Sequence, residues 1–341
     1  KSMSRNQSIL KYLSIRLSLI PLMLWLISSM VFILLRVAPG DPVDAILGNR
    51  ANEAARALLR TKLGLNQTLI QQYSSFLKNL INADLGNSLI NNEPVTQIIF
   101  KSLPASIELG ICAFIVSAVI GLAIGFTGIA KPESKIDFLG RIYGISTYAL
   151  PPFWAAMMIQ LFFAVQLGWL PVGGRFPPGL LPPNGSNFLI LESLRTGDWK
   201  FLLGALRHMV LPATTLGILL SGIFSRSLRL NMERILQSDY IEAARSRGLS
   251  EKRVVFIHAL PNALLPVITI AGITIASLIG GALLIEVTFS WPGIAMRLQE
   301  AINQRDYPVV QGITVIVASL VVLTSVLVDL LIAIIDPRVS Y

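Results

Sequence analysis

The chain has 341 residues, of which 53% are hydrophobic and 14% charged, and its mean hydropathy is +0.67. An ordinary soluble domain carries about 25% charged residues, so the composition excludes that class and indicates a polytopic membrane protein. The net charge of +9 is typical of Lys and Arg in cytoplasmic loops, and no basic run is interleaved with aromatic residues, so we expect no nucleic-acid partner.

A short basic segment, residues 1–16, precedes the first apolar run at 17–35, which is long enough to cross a bilayer. A secretory signal peptide is the alternative interpretation of this basic and apolar pair. The apolar run is longer than the core of a usual signal, however, and no convincing small-residue cleavage site follows it. We therefore predict a retained first transmembrane helix.

The polar segment 36–106 is long enough to fold as a small cap outside the membrane. Residues 52–63 have helix-forming composition and stop at Gly64, which suits a helix C-cap. Residues 71–81 have the pattern of a second amphipathic helix. The sequence therefore predicts an extracytoplasmic helical cap between the first two spans.

Five further apolar runs are candidate transmembrane helices, and together with the first they predict an all-α membrane protein with six spans. An even number of spans places both termini on the same side of the membrane. The five runs lie at 107–130, 142–167, 209–224, 267–287 and 309–335.

Orientation follows from the distribution of basic residues. With the N-terminus inside, Lys and Arg are about twice as dense in the inner segments as in the outer ones, which fits the positive-inside rule. The termini and the 225–264 loop are therefore predicted to be cytoplasmic. The outer segment 168–207 carries five prolines, so we expect it to be extended and irregular.

Several kinds of chemistry are missing from the sequence. No Gly-x-x-x-x-Gly-Lys-Ser/Thr loop occurs, so the chain itself is not expected to bind nucleotide in the P-loop manner. No hydrolase elbow or zinc-protease motif is present either. Cys112 is the single cysteine, and His208 and His258 are far apart in sequence, so no metal site is expected. We predict neither a catalytic residue nor a bound cofactor.

The 225–264 loop holds the most informative stretch of the chain. Ser238 and Asp239 are suited to cap a helix, with Glu242 in the position of a capping-box partner. Residues 240–247 then make about two turns before Gly248 ends them, and Glu242 and Arg245 are spaced to pair. A second helical stretch, 251–260, is expected to stop at Pro261.

This loop resembles the signature of the membrane subunits of bacterial ABC importers, which reads Glu-Ala-Ala, three residues, Gly, nine residues, a hydrophobic residue, one residue, Leu-Pro. Here the matching residues are Glu242-Ala243-Ala244, Gly248 and Leu260-Pro261, with His258 where isoleucine is usual. A second Glu-Ala-Ala triplet begins at Glu53, but it has no glycine or Leu-Pro at the right distance and is predicted to lie outside. The triplet alone is therefore not the signal.

Other segments are similar to the peptide and nickel permease group of that family, particularly the first of its two paired membrane subunits. The resemblance extends over nearly the whole chain and favours a dipeptide or oligopeptide cargo, with nickel or glutathione as alternatives within the group. The matching segments begin with Leu35-Arg-Val-Ala-Pro-Gly-Asp-Pro42, Leu63-Gly-Leu-Asn-Gln67, Asp84-Leu-Gly-Asn-Ser88 and Leu167-Gly-Trp-Leu-Pro171, and continue with Asn262-Ala-Leu-Leu-Pro-Val267, Phe289-Ser-Trp-Pro-Gly293, Arg305-Asp-Tyr-Pro308 and Ile335-Asp-Pro-Arg338.

The resemblance implies a permease in a bacterial inner or plasma membrane, with the type I importer fold. It implies four kinds of partner: a homologous second permease subunit, two ABC ATPase subunits that use ATP and Mg²⁺, an extracytoplasmic substrate-binding protein and the lipid bilayer. It also implies which residues contact the ATPase: Asp239, Tyr240, Glu242, Ala243, Ala244, Arg245, Arg247, Gly248, Leu260 and Pro261.

A second group of residues is a candidate for the translocation pathway or its outer gate. Glu286 lies near the outer end of the fifth span, where a charge is costly unless it is paired or near water, so a structural ion pair is the alternative. The group comprises Glu286, Phe289, Trp291, Pro292 and Gly293. In the last span, Asp329 is expected to pair within the helix bundle.

Two rival functions also need no P-loop. A secondary transporter driven by an ion gradient would carry ionisable residues near the membrane midplane and inverted repeats, but Asp329 and Glu286 are few and peripheral, and no half-to-half similarity is apparent. A membrane-embedded hydrolase would need a catalytic constellation that the sequence lacks. ATP-driven import remains the favoured prediction.

Overall fold

The computed structural model describes residues 5–37, 42–47, 52–62, 64–130, 134–183, 185 and 187–335. Within these ranges the secondary structure is helical, and the extended pairing is limited to an isolated bridge between Asn87 and Pro94. Parts of three motifs quoted above, 38–41, Leu63 and 336–338, lie outside the described residues. The all-α prediction is confirmed.

The helices that precede Asp239 form the cap and most of the bundle. They are α1 (Arg5–Val37), α2 (Pro42–Leu47), α3 (Glu53–Lys62), α4 (Leu69–Ile81), α5 (Val95–Ala130), α6 (Lys135–Ala149), α7 (Pro152–Gln160, continued by a π-helical turn, Leu161–Gln166), α8 (Leu189–Thr196) and α9 (Trp199–Leu236). After them come α10 (Asp239–Ser246), α11 (Glu251–Arg253, continued by a π-helical turn, Val254–Ala259), α12 (Leu260–Ile279), α13 (Leu283–Thr288), α14 (Ile294–Asn303) and α15 (Tyr307–Ile335).

Five of the described helical segments are long and apolar enough to cross a membrane. They lie in α1, α5, α9, the continuous helix Glu251–Ile279 and α15. A sixth span is obtained if α6 and α7 are counted together, although they are bent by 105°. The bend follows from Pro151, because proline has no amide hydrogen to donate and disfavours helical geometry in the residue before it.

The centre of the bundle is the contact between α5 and α9. Glycines let the two backbones approach closely: a Cβ on Gly217 would lie only 2.6 Å from Cγ1 of Val116, and one on Gly121 would overlap the carbonyl oxygen of Ser221. Small residues at such crossings are how membrane helices gain packing energy, since lipid is as apolar as the side chains.

The cap packs on α1. Thr68 begins α4 with a capping box, because its hydroxyl accepts from the amide of Gln71 while the Gln71 side chain accepts from the amide of Thr68. The hydroxyl groups of Tyr73 and Ser29 are 2.6 Å apart, and the ring of Phe32 lies 5.2 Å from that of Tyr73. The expected helix over 71–81 is thus present and starts two residues earlier.

Two elements differ from their sequence-based expectations. The 168–207 segment is irregular only in its first half, because α8 and the beginning of α9 occupy the second; Asp198 caps α9 by accepting from the amide of Phe201. The helix of the fifth span ends at Ile279, and Gly281, with φ of +81°, turns the chain into the separate helix α13. The membrane boundaries themselves stay predictions.

Polar contacts join distant parts of the chain. Arg16 in α1 forms an ion pair with Asp329 in α15, which confirms the expected pairing of Asp329 within the bundle. Asp306 accepts hydrogen bonds from the hydroxyl of Ser88 and from the amide of Leu89. The 84–88 and 305–308 motifs, more than two hundred residues apart in sequence, therefore form one contact.

Candidate coupling site

The short helix α10 lies across the end of α9 and is held by its inner face. Ile241 is fully buried and Ala244 nearly so, and both pack in a cluster with Phe224, Met232 and Val254. These partners belong to α9 and to the π-helical turn before α12. The helix is therefore fixed to two membrane-crossing elements, and a force on it reaches both.

The outer face of α10 is open. Its exposed residues are Asp239, Tyr240, Glu242, Ala243, Arg245 and Ser246, and the C-cap residue Arg247 is exposed as well. Of the two adjacent alanines in the signature, Ala243 and Ala244, only Ala243 faces outward. Ala244 packs into the protein, because residues one position apart point about 100° apart around a helix.

The predicted capping box at the start of α10 does not form. Ser238 is the N-cap residue, but its hydroxyl donates to the carbonyl oxygen of Ile235, at 2.5 Å, and caps no amide of α10. The hydroxyl instead satisfies a carbonyl at the end of α9, in the tight turn that joins the two helices. Asp239 is instead the first helical residue, where its negative charge interacts favourably with the positive end of the helix dipole.

The end of α10 is a Schellman motif centred on Gly248. The amide of Gly248 donates to the carbonyl oxygen of Arg245, at 2.9 Å, and that of Leu249 donates to Ala244, at 3.4 Å. Gly248 has φ of +75°, and a Cβ there would meet nothing within 4 Å. The glycine is thus required for its backbone conformation and not for a close approach within this chain.

Arg245 pairs with Glu251 and not, as predicted, with Glu242. Its Nη2 and Nε donate to the two carboxylate oxygens at 2.6 and 3.1 Å, and its Nη1 donates to the carbonyl oxygen of Leu236 at 3.3 Å. The hydrogen bonds to Glu251 raise the pKa of Arg245. This single side chain links α9, α10 and α11 on the exposed side of the loop.

The chain continues as helix through Pro261, which corrects the expected stop there. The π-helical turn before α12 shifts the hydrogen-bond register, so the missing proline amide is accommodated. The carbonyl oxygen of His258 accepts from Nδ2 of Asn262 at 3.0 Å and from the Tyr240 hydroxyl at 3.4 Å. Tyr240 thereby ties α10 to the beginning of the fifth span, and the backbone of His258, not its ring, makes the contact.

The second predicted group is mostly buried. The Glu286 carboxylate, fully buried, accepts from the Ser106 hydroxyl at 2.6 Å and from the amide of Met296 at 2.9 Å. The Trp291 ring nitrogen donates to the carbonyl oxygen of Ala105 at 2.9 Å. Glu286 is thus held by a hydroxyl and by amides of the first turn of α14, and no basic side chain among the described residues pairs with it.

Pro292 and Gly293 have a different environment from the rest of that group. They line a cavity of about 290 Å³ together with Lys101, Arg297 and Glu300. Phe289, by contrast, is buried and packs in the main core cluster. In this conformation Glu286, Phe289 and Trp291 anchor α13 and α14 to α5, and a gating role for the group stays a prediction.

Sequence reasoning missed two buried charged clusters. Asp137 in α6 accepts a hydrogen bond from Arg141 at 2.8 Å and pairs with Arg229 of α9. Arg175 donates to Glu108 of α5 at 2.7 Å. The sequence does contain a signal for these clusters, because a charged residue within or beside an apolar run is costly unless it is paired.

Comparison with known protein families gives matches along most of the chain. Residues 117–341 match the binding-protein-dependent transport system inner membrane component family, and residues 9–110 match the N-terminal membrane component of the same system. Among individual proteins, the dipeptide transport system permease protein DppB of Alkalihalophilus pseudofirmus is 38% identical over 95% of this chain and 97% of its own length.

Two further relatives have similar coverage. The di/tripeptide transport system permease protein DppB of Pseudomonas aeruginosa is 37% identical over 97% of this chain and 99% of the relative. The oligopeptide transport system permease protein AppB of Bacillus subtilis is 36% identical over 94% and 96%. Among solved structures, a chain of the MetNI methionine ABC transporter in inward-facing conformations has a TM-score of 0.50 at 15% identity, covering 71% of this chain and 97% of that chain. This last similarity supports the fold.

Proposed function

The chain belongs to the binding-protein-dependent transport system inner membrane component family, and from that premise we propose that it is one permease subunit of an ATP-driven peptide importer. The relatives are named as permeases for dipeptides, di- and tripeptides, or oligopeptides, which supports a short peptide as cargo. The permease would form half of the pathway and pair with a homologous second subunit.

The proposed orientation places both termini and α10 in the cytoplasm and the cap, with α4, outside. The density of Lys and Arg supports this orientation. An extracytoplasmic binding protein would deliver cargo to the cap and to the outer segments near Pro292. Two ATPase subunits would bind ATP and Mg²⁺ on the other side.

The observation that carries the proposal is the division of α10 into a buried face and an exposed face. Ile241 and Ala244 fix the helix to the spans, while Glu242 and Ala243 are presented outward. Nucleotide that binds to a separate ATPase subunit can shift the conformational equilibrium of a permease only if the contacts between the two subunits differ between the nucleotide-bound and nucleotide-free ATPase. The helix α10 is packed firmly against α9 and the start of the fifth span, and the small side chain of Ala243 lets a partner approach its exposed face closely. It is therefore suited to transmit that difference.

The chain contains its own control for the decisive experiment. Ala243→Trp adds bulk to the exposed face of α10 without touching its packing, whereas Ala54→Trp adds the same bulk at the matching position of the exposed Glu53 triplet in the cap. We expect Ala243→Trp to abolish peptide uptake and reduce recovery of the ATPase subunits on co-purification. Ala54→Trp should retain both. Full uptake and ATPase binding in Ala243→Trp would refute the proposal.

Cargo class is tested separately. The cognate external binding protein is titrated with di- and oligopeptides, glutathione and nickel, and uptake into vesicles is measured with the ligands it binds. We expect competition by short peptides only. Binding of nickel or glutathione in place of peptides would reject the peptide assignment and leave the importer function standing.

A further inference from the structure

A cavity of about 500 Å³ lies where α6 meets α9. The two helices are joined beside it by the hydroxyl groups of Tyr143 and Ser221, which are 2.6 Å apart. Neither the coupling helix α10 nor the outer cavity at Pro292 includes it. Its principal lining residues are Gly140, Arg141, Gly144, Tyr148, Arg226 and Arg229.

The cavity has more positive charge than its own acidic partner neutralises. Asp137 pairs with both Arg141 and Arg229, so one carboxylate serves two guanidinium groups. Arg226 is exposed and makes no hydrogen bond or ion pair within the described part of the chain. Among the described residues that line the cavity or pair with its arginines, three guanidinium groups meet one carboxylate, which is an excess of two positive charges.

Arg229 has a buried hydrogen-bond donor that lacks an acceptor, which indicates a site for a ligand. The residue is only 9% exposed, and its Nη1 contacts Asp137, yet its buried Nη2 has no hydrogen-bond partner in the described structure. A buried, charged donor left without an acceptor is costly, so such groups are normally satisfied by a partner or a bound ion. Arg229 is one of the residues that line the basic cavity, so a small rotation of its guanidinium would bring this donor to an anionic oxygen there.

Two glycines of α6 make the space available. A Cβ on Gly140 would lie 3.1 Å from Nη2 of Arg229, so the absent side chain leaves room for the guanidinium beside the helix. A Cβ on Gly144 would meet nothing within 4 Å, so that position opens directly onto empty volume. The cavity is thus roomy enough for a tetrahedral anion together with attached groups.

The surroundings of the cavity are apolar and exposed. On α6, Phe138, Leu139, Ile145 and Tyr148 are all exposed, as expected of a surface that contacts lipid chains. The cavity lies toward the end of α9 that leads into α10, which is the cytoplasmic side in the orientation proposed above. Anionic lipids are concentrated in the cytoplasmic leaflet, and basic pockets between helices on that side bind their head groups.

We propose that this cavity binds the phosphate of an anionic phospholipid head group, with the acyl chains lying along the apolar face of α6. A lipid head group and a free phosphate ion would both present an anionic oxygen to Arg226 and Arg229. The exposed apolar rim at Ile145 favours the lipid, because a free ion gains nothing from it. The proposal rests on the orientation assigned under the proposed function but not on the coupling role of α10.

The test uses the complex purified with its partner subunits in mild detergent, and native mass spectrometry of bound lipid. Phosphatidylglycerol and phosphatidylcholine with identical chains are compared, since they differ in head-group charge. We expect wild type to retain phosphatidylglycerol preferentially. Removing one arginine should weaken this binding about fivefold, from the roughly 1 kcal/mol contributed by each basic residue near anionic lipid.

Three variants separate a site from general attraction. Arg226→Gln removes a cavity charge that has no structural partner among the described residues, and should weaken phosphatidylglycerol binding by that factor. Gly144→Leu fills the cavity while keeping every arginine, and should abolish the binding. Arg234→Gln is the matched control, because Arg234 is an exposed residue about two turns further along α9 and outside the cavity. It should bind lipid as wild type does.

Equal loss in Arg226→Gln and Arg234→Gln would overturn the proposal, since it would mean non-specific attraction to the bilayer. Displacement of the lipid by millimolar inorganic phosphate would show a free-anion site and would also overturn it. So would loss of the second permease subunit from Gly144→Leu, because the surface would then be a subunit interface. Failure here leaves the Ala243→Trp result, and with it the importer function, unaffected.

Discussion

The guanidinium of Arg175 lies 2.7 Å from a carboxylate oxygen of Glu108, and both side chains are buried. Arg175 also donates to the carbonyl oxygen of Asn187, at 2.7 Å, while the other Glu108 oxygen accepts from the amide of Ile190, at 2.8 Å. Burial lowers the pKa of Arg175, and the hydrogen bond to Glu108 opposes that shift. The pair thus joins the outer segment to α5 at two points.

Glu108→Gln should destabilise the protein strongly, because it leaves the Arg175 charge buried without its counter-ion. Breaking one partner of a buried ion pair typically costs about 3–5 kcal/mol. Thermal unfolding of the purified chain in detergent measures the effect. Glu93→Gln is the control, since it breaks the pair with the exposed Lys101, where the expected loss is below about 1 kcal/mol. Equal melting temperatures for the two variants would contradict the prediction.

Gly248→Ala should reduce ATP-dependent uptake without affecting insertion into the membrane. The left-handed backbone at Gly248 costs a residue with a Cβ about 1–2 kcal/mol, enough to lower the population of the correct helix end by roughly tenfold. Gly248→Asn should lose less, because Asn tolerates that conformation. Uptake and ATPase rates are measured in reconstituted vesicles.

The matched control for Gly248→Ala is Gly197→Ala at the end of α8. Gly197 has φ of +72° and, like Gly248, has no atom within 4 Å of the position that a Cβ would occupy. The strain is therefore similar, but the position lies outside the coupling loop. If both variants impair uptake equally, a general loss of stability explains the effect and the specific role of Gly248 is rejected.

Gly222→Ala should destabilise the contact of α6 with α9, because the new Cβ would overlap Oγ1 of Thr147. Overpacking of this kind costs about 1–3 kcal/mol. Thr147→Ala in the same chain removes the obstructing hydroxyl and should restore at least half of the lost stability. Thermal unfolding of the single and double variants gives the interaction energy of the two changes.

Gly121→Ala is the control for the rescue of Gly222→Ala by Thr147→Ala. Its Cβ would overlap the backbone carbonyl oxygen of Ser221, which no side-chain substitution removes. Thr147→Ala should therefore fail to rescue Gly121→Ala. A rescue of both glycine variants would show that Thr147→Ala stabilises the protein generally, and the proposed close contact between Gly222 and Thr147 would be wrong.

The sequence predicted the features that depend on local pattern. Apolar runs of sufficient length predicted most of the long helices, although their membrane boundaries stay predictions. Gly64 and Gly248 marked helix ends because a left-handed residue there is encoded by glycine itself. It failed where a partner in the next helix competes with a partner in the same helix. Arg245 has Glu242 one turn away but pairs with Glu251, which offers both carboxylate oxygens in a bidentate geometry.

The buried charges show the same limit more clearly. Glu286 was identified as a costly charge needing a partner, but the partners, Ser106 and the first amides of α14, are uncharged and are brought together only by the tertiary fold. The alternation of Ala243 outward and Ala244 inward was likewise invisible, because it depends on which face of α10 meets α9. Motif spacing identified the coupling loop, whereas packing decided which of its residues remain exposed.

The ion pair between Arg16 and Asp329 allows the importer to be distinguished from an ion-driven carrier. If Asp329 is structural, Asp329→Asn should lower stability by about 1–2 kcal/mol while uptake in vesicles still requires ATP and resists a protonophore. The charge reversal Arg16→Asp/Asp329→Arg should recover stability, because the pair is restored with its ends exchanged. An ion relay needs the carboxylate at position 329 itself. Loss of uptake in both Asp329→Asn and the reversed variant, with stability intact, would therefore favour the gradient-driven mechanism over the ATP-driven one.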